Sequence, residues 1–449
     1  MYRRHNECGQ TIAIVAVSMV SFLAMAALAI DLTTLYVARG EIQRAADSAA
    51  LAGAKAFVDS GVTSNPGNAG LQAVAQQLAN SYVAGAVLQN NVSGSSPQLV
   101  SPPTLDFSLQ GNPRITVNLQ KTSLPVFFAR IFGTTAASVS ATATAEAYNP
   151  AFSQSNSGSY IPSAPKCVKP FLVPNAYADP SNPNNPSPPP FVDENTWQVN
   201  QSQQFLGKPI VLSSGCKNGN GQKGCFLPPP GNPKPPNAGE YLPMVASSTH
   251  TYCPSDAAPG CGGANTDFEK SVECCDGAAF NFKQCGGSAN LATWDQTIDP
   301  GGPNQPARNG LQCLIHTTNI GSANISQQDS LDPNSFVASS GAPRISPGTF
   351  SQSRYNIPAN SLMDTSDSII TVPLFHRPGP NQPMPDQVTI VGFLQVFVSY
   401  VGPTLGIGKP KEDLNGYIVN IIGCGDSAAS GSPVSGGGVS AIPVRLIHN

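Results

Sequence analysis

GQTIAIVAVSMVSFLAMAALAI, residues 9–30, runs without a break into DLTTLYVARGEIQRAADSAALAGAKAF, residues 31–57, and the organisation of the 449-residue chain turns on this stretch. Between Glu7 and Asp31 no residue is charged. At 1.5 Å per residue, about 20 helical residues match the roughly 30 Å hydrocarbon core of a bilayer, so residues 11–30 read as a transmembrane helix. Arg3 and Arg4 precede the run and Asp31 follows it. The positive-inside rule then makes residues 1–10 a cytoplasmic tail of a single-pass protein, with the bulk exocytoplasmic. Ala27-Leu28-Ala29 has the small-residue form of a signal-peptide cleavage site. The apolar run nevertheless exceeds the usual core of about 7–15 residues, and the helical pattern continues past the site, so a retained anchor is expected.

From Asp31 the pattern changes. At about 100° per residue, Leu35, Ile42, Ala46, Ala49, Gly53 and Phe57 share one sector, while Glu41, Arg44, Ser48, Lys55 and Asp59 lie opposite. Residues 31–60 therefore form an alanine-rich amphipathic helix, weakened by about 1 kcal/mol at Gly40 relative to alanine. The apolar face is mostly small, which suits close approach of another helix. Leu35, Ile42, Ala46, Ala49, Ala50, Gly53 and Phe57 are the expected assembly surface.

Gly9-Gln10-Thr11, the apolar run, Asp31, Leu35-Tyr36, Arg39 and the pattern Gln43-x-x-Ala46-Asp47-x-Ala49-Ala50-Leu51-Ala52-Gly53-Ala54 closely resemble the N-terminal segment of TadE/TadG-like proteins of the Flp (tight-adherence) pilus-assembly system. The resemblance is strongest over residues 9–57 and extends more weakly to about residue 148. It implies a membrane-anchored envelope component of pilus assembly or adhesion that acts by packing on pilins or other pilus-assembly membrane proteins. Type IV prepilins are cleaved after a glycine, but the fifth residue beyond Gly9 is Ile14 where such pilins carry glutamate. Full-length retention is therefore expected.

Charged residues make up 11% of the chain against about 25% in typical domains, and it holds 42 glycines and 43 prolines. Turns and irregular segments are expected to be many. A net charge of −3 gives no basic footprint for nucleic acid. Setting Cys8 aside, the outer region carries Cys167, Cys216, Cys225, Cys253, Cys261, Cys274, Cys275, Cys285, Cys313 and Cys424. An even number in an oxidising compartment reads as a disulfide framework, and none of the spacings is that of a zinc site.

Along the chain the expected class is α+β. Residues 61–148 form a small α+β region: a helix over 69–88, strands over 104–109 and 114–119, a short helix over 126–132 closing on Gly133, and an edge strand over 138–148. Residues 149–166 are a Ser/Asn/Pro linker. Residues 167–365 read as an irregular Cys/Pro-rich module, because the tracts at 174–190 and 228–236 favour polyproline conformation. Residues 366–449 are β-rich, with strands over 368–373, 388–400, 417–422 and 439–447. Cys424 is expected to tie this end to the cysteine-rich module.

Chemistry-bearing patterns are sparse. Asp364, Ser366 and Ser368 fit the D-x-S-x-S metal motif of von Willebrand A domains, yet no apolar strand precedes them, and a solvated loop or helix cap is the expected state. His250, His316, His376 and His448 stand apart, and no nucleophile-elbow or zinc-protease pattern occurs. The expectation is a non-enzymatic protein without a cofactor. The alternative function is an envelope-anchored, disulfide-rich module that binds a surface ligand independently of pili.

Overall fold

The computed structural model describes residues 8–109, 112–133, 135–149, 163–182, 185, 187–195, 198–200, 204–216, 235–250, 261, 266–275, 291–300, 305–317, 327–336, 345–359, 361, 363, 366–379, 382–402, 413–423, 434–435 and 442–447.

Helix α1, Cys8–Ser60, is a single element of 53 residues, about 80 Å long, that continues through Gly40. Its two halves meet different surroundings. From Ile12 to Ile30 the large apolar side chains are half exposed or more, Phe22 to 68% and Ile30 to 50%. From Ala38 onward one face is sealed, with Ile42, Ala46, Ala49, Ala50 and Phe57 at 0%. The first half is long and apolar enough to cross a membrane, and the second belongs to the core of the folded region.

Gly61, in the left-handed region at φ 73°, turns the chain after α1. Helix α2, Ala69–Gln89, starts where the Asn68 side chain accepts the Gly70 and Leu71 N–H groups, and it buries Leu71, Val74, Leu78, Val83 and Val87. The helical spacing of the sequence selects Leu71, Val74, Leu78 and Val83, and Val87 extends the same buried face. Strands β1 (Gln98–Leu99), β2 (Thr104–Asp106), β3 (Arg114–Leu124) and β4 (Ala137–Ala147) follow. On β3, Ile115, Val117 and Leu119 are fully buried while their neighbours are only half-buried, the period-two pattern of a sheet with one covered face.

The chain then gives β5 (Phe171–Pro174), β6 (Pro209–Ser214), β7 (Glu240–Pro243), α3 (Asp267–Glu273), β8 (Leu291–Thr293), α4 (Pro306–Leu314) and α5 (Thr349–Tyr355). It ends with β9 (Ile369–Phe375), β10 (Gln387–Gly402), β11 (Asp413–Gly423) and β12 (Val444–Ile447). In the larger sheet the order is β9-β5-β7-β6-β11-β10-β8, and β9 also pairs with β10. Six strands therefore close into a ring, with β8 appended to the start of β10. Closure leaves each of the six with a neighbour on both sides and removes free edges.

Two expectations are corrected here. Residues 167–365 are not a separate irregular module: β5, β6 and β7 come from them and complete a ring whose other strands lie in residues 366–449. Strands of four to six residues beside prolines are too short to show a period, and their partners are distant in sequence. Strand β4 is not an edge either, because β12 returns from the C-terminal end to pair with it, Val444 opposite Ala147 and Ile447 opposite Thr144. The buried Glu146 fastens that return, reached by Arg445 Nη2 at 2.6 Å and by Arg114 Nε of β3 at 3.3 Å.

Candidate functional site

The small-residue face of α1 is filled from within the chain. Helix α2 and strands β3 and β4 pack along its second half. A Cβ on Gly53 would stand 2.5 Å from Ile115 Cδ1 and 2.9 Å from Val83 Cγ2. Of the expected assembly surface, Ile42, Ala46, Ala49, Ala50, Gly53 and Phe57 are buried and Leu35 is half-buried, so the residues come together but face inward. The sequence pattern for close helix packing is correct; the partner that uses it is the chain's own α2 and sheet. The opposite side of α1 presents Tyr36 (80% exposed), Val37, Arg39, Gly40, Gln43 and Arg44.

At the upper end of the apolar run Asp31 is buried, and its carboxylate accepts three backbone N–H groups, those of Phe127 (2.9 Å), Phe128 (2.9 Å) and Ala129 (2.7 Å). These belong to the turn that leads into the 3-10 helix Ala129–Phe132, which closes on Gly133 at φ 88°. The carboxylate satisfies N–H groups that the short helix leaves without internal partners.

At its other end α1 is wired to the ring of strands. Thr371 of β9, Gln395 of β10 and Asn420 of β11 lie opposite one another across three neighbouring strands. Gln395 Nε2 donates to Thr371 Oγ1 (3.3 Å), and Asn420 Nδ2 donates both to Gln395 Oε1 (2.9 Å) and to the Val58 carbonyl in the last turn of α1 (3.0 Å). Ser64 completes the joint: its hydroxyl donates toward Asn420 Oδ1 (3.1 Å) and accepts the Ile421 N–H (3.0 Å). Asn149 bridges the Thr63 and Ile421 carbonyls. All of these side chains are buried, so the polar row has one arrangement in which its members satisfy each other. A cavity of about 10 Å³ beside the joint, lined by Ser64, Leu71, Phe205 and Ile421, has room for one water and not for a ligand.

A transmembrane-length exposed run that becomes an alanine-rich, packed helix is thus one continuous element, with Asp31 at the change. Residues 9–56 match the family model of putative Flp pilus-assembly TadE/G-like proteins. The match covers the exposed half of α1 and most of its packed half, and it stops just before the joint. No curated protein and no solved structure matches the chain. Within the TadE/G-like segment, Asp31, Ala46, Ala49, Ala50 and Gly53 have intramolecular contacts that account for their residue types, whereas Tyr36 and Arg39 project outward.

Beyond the TadE/G-like segment, Cys167 is bonded to Cys275 and Cys261 to Cys313, and Cys216 and Cys274 are also in disulfides. Cys225, Cys253, Cys285 and Cys424 lie outside the described residues, and with Cys424 the expected tie to the cysteine-rich region. Glu273 has a carboxylate oxygen within 4.8 Å of the Cys261 and Cys313 sulfurs. In the bonded state those sulfurs offer no thiolate to a cation.

Lys169 is buried beside the first of these bridges, and its Nζ donates to the Cys274 carbonyl at 2.7 Å. Burial pushes its ammonium group down to about 7, against the pull of Asp367 and Glu273. His316 Nε2 meets Asp367 Oδ2 at 2.9 Å and its ring stacks on Phe350. His250 meets Ser271, and His376 meets Glu194; His448 is outside the described residues.

At its described serines the D-x-S-x-S stretch is not the expected solvated loop. Asp364 is outside the described residues, but Ser366 and Ser368 are buried. Ser366 Oγ donates to Asp329 Oδ2 (2.6 Å) and accepts the Ser368 N–H (3.2 Å). The two serines shape the turn into β9, whose burial demands such internal partners.

Proposed function

We propose that this protein is a single-pass component of the Flp pilus-assembly machinery, with its N-terminus in the cytoplasm and its sheets outside the inner membrane, and that it acts by packing against pilins or other assembly proteins without catalysis. The observation that carries the reading is the coincidence of the TadE/G-like match with one unbroken helix, exposed and apolar over its first half and locked into the outer fold over its second. Because the small-residue face is already filled, the partner surface is the outward side around Tyr36, Arg39 and Gln43 together with the exposed apolar run. An apolar helix surface in lipid gains nothing from hydrophobic association, so lateral partners are chosen there by shape and by the polar side chains just above it.

The test places a photo-crosslinking amino acid at Tyr36 or Arg39 in cells that assemble pili, with Ala46 as the buried comparison. Adducts with pilus-assembly membrane proteins from the first two positions, and none from Ala46, are expected. Normal pili in a strain lacking the protein, together with adducts only to non-pilus components, would favour the surface-ligand module instead.

A further inference from the structure

We infer that the turn carrying Phe127 and Phe128 is a second membrane contact: a lipid-seated aromatic wedge that Asp31 holds against the end of the transmembrane run. The inference rests on the proposed anchoring of α1 and adds to it a site of lipid binding in the outer fold.

Height comes first. Three N–H groups of the turn lie within 2.9 Å of the Asp31 carboxylate, so the backbone of residues 127–129 sits beside α1 one residue beyond Ile30. Ala27, four residues below Asp31 and on the same helix face, is 8% exposed in a run whose large apolar side chains are all half exposed or more. Cover on that face therefore extends about one turn down into the apolar run.

Orientation and chemistry agree with that height. Leu124 and Val126 are buried, while Phe127 is 59% and Phe128 37% exposed, so the turn directs its small aliphatics inward and both aromatic rings outward. Two exposed phenylalanines are costly in water and suit the boundary between headgroups and acyl chains, where surface-seated segments bury Trp, Phe and Leu. Leu28, Ile30 and Leu32 of α1, within three residues of Asp31, are exposed as well, so the turn lies at the level of apolar helix surface that lipid would cover. Exposed Arg130, three residues on, places a cation at headgroup height. Asp31 thus has a specific role: its side chain holds the wedge in register, and the three N–H groups keep its charge satisfied at the membrane surface.

The test uses the full chain in phosphatidylcholine–phosphatidylglycerol vesicles, with flotation measured on the same sample. Phe127→Trp adds one indole to the two native tryptophans, and its emission is taken as the difference from wild type. In vesicles whose lipids are brominated near the headgroup, the added emission is expected to fall at least about twofold and to resist aqueous iodide. Asp31→Ala should reverse both readings while flotation persists. Added emission quenched by iodide and untouched by brominated lipid, in protein that floats, overturns the wedge. Quenching that persists at full strength in the Asp31→Ala variant overturns the clamp. Protein that fails to float overturns the anchor itself, a separate result.

Discussion

Asn420 Nδ2 donates to the carbonyl oxygen of Val58 at 3.0 Å, and the two residues are 362 positions apart. Through this bond the last turn of the anchor helix is fixed to the middle of strand β11, and from there through Gln395 to Thr371. Force or displacement applied along α1 reaches the ring of strands through a buried polar row, not through a flexible linker.

Replacing Asn420 by leucine keeps the volume and removes every polar atom. The Val58 carbonyl, Gln395 Oε1 and the Ser64 hydroxyl each lose a partner in a buried site. A loss of about 2–4 kcal/mol in unfolding free energy is expected, since three buried hydrogen bonds are lost and each is worth about 0.5–1.5 kcal/mol. Urea unfolding measures it, and amide exchange should show the gain in opening centred on residues 58–64 and 418–421.

Gly53 gives a second prediction, and its sign differs from what a partner-facing surface would give. Alanine there gains about 1 kcal/mol in helix propensity but forces Ile115 Cδ1 and Val83 Cγ2 to move, so the substitution should be near neutral. Leucine overpacks the site and should cost about 1–3 kcal/mol or more. The discriminating measurement is Gly53→Leu combined with Ile115→Ala: partial recovery of thermal stability places the clash inside the chain, and strict additivity of the two losses would refute it.

The disulfides stabilise one part of the molecule selectively. Cys167–Cys275 closes 108 residues and Cys261–Cys313 closes 52, for which loop-closure entropy gives about 5 and about 4 kcal/mol. Residues 9–166, which hold α1 beyond its first residue, α2 and β1–β4, contain no cysteine. Reduction should therefore expose the β5–β11 ring to protease while α1, α2 and β3 keep their amide protection. Cleavage spreading equally into both regions would show that the ring supports the helix pair as well.

What could be read from the sequence divides by the range of the interaction. The 3.6-residue period of α1 and α2 is local, so both helices and their buried faces were legible. The seven-residue and longer apolar strands β9, β10 and β11 were legible for the same reason. The ring was not, because β5, β6 and β7 are four to six residues long, and β5 and β6 pair with strands more than 200 positions away. The joint did leave a trace: Thr371, Gln395 and Asn420 are each a polar residue flanked on both sides by apolar ones within a strand, a position that requires a buried partner. The role of Asp31 was visible only as a family resemblance, since nothing local indicates that residues 127–129 reach it.

Lys169 supplies the pH dependence. Its folded-state value is about 7, below the roughly 10.4 of an unfolded lysine, because burial disfavours the ammonium form. Between those values the unfolded chain holds a proton that the folded chain lacks. Stability from this group therefore rises with pH from about 7 toward about 10, by up to about 1.4 kcal/mol per pH unit, and is flat below about 6. This is opposite to the behaviour of a lysine that gains a carboxylate partner on folding. Lys169→Met should remove the slope between pH 7 and 9 in urea unfolding, while leaving the Cys274 carbonyl without its donor at every pH. A wild-type slope that survives in the variant would assign the titration to another group.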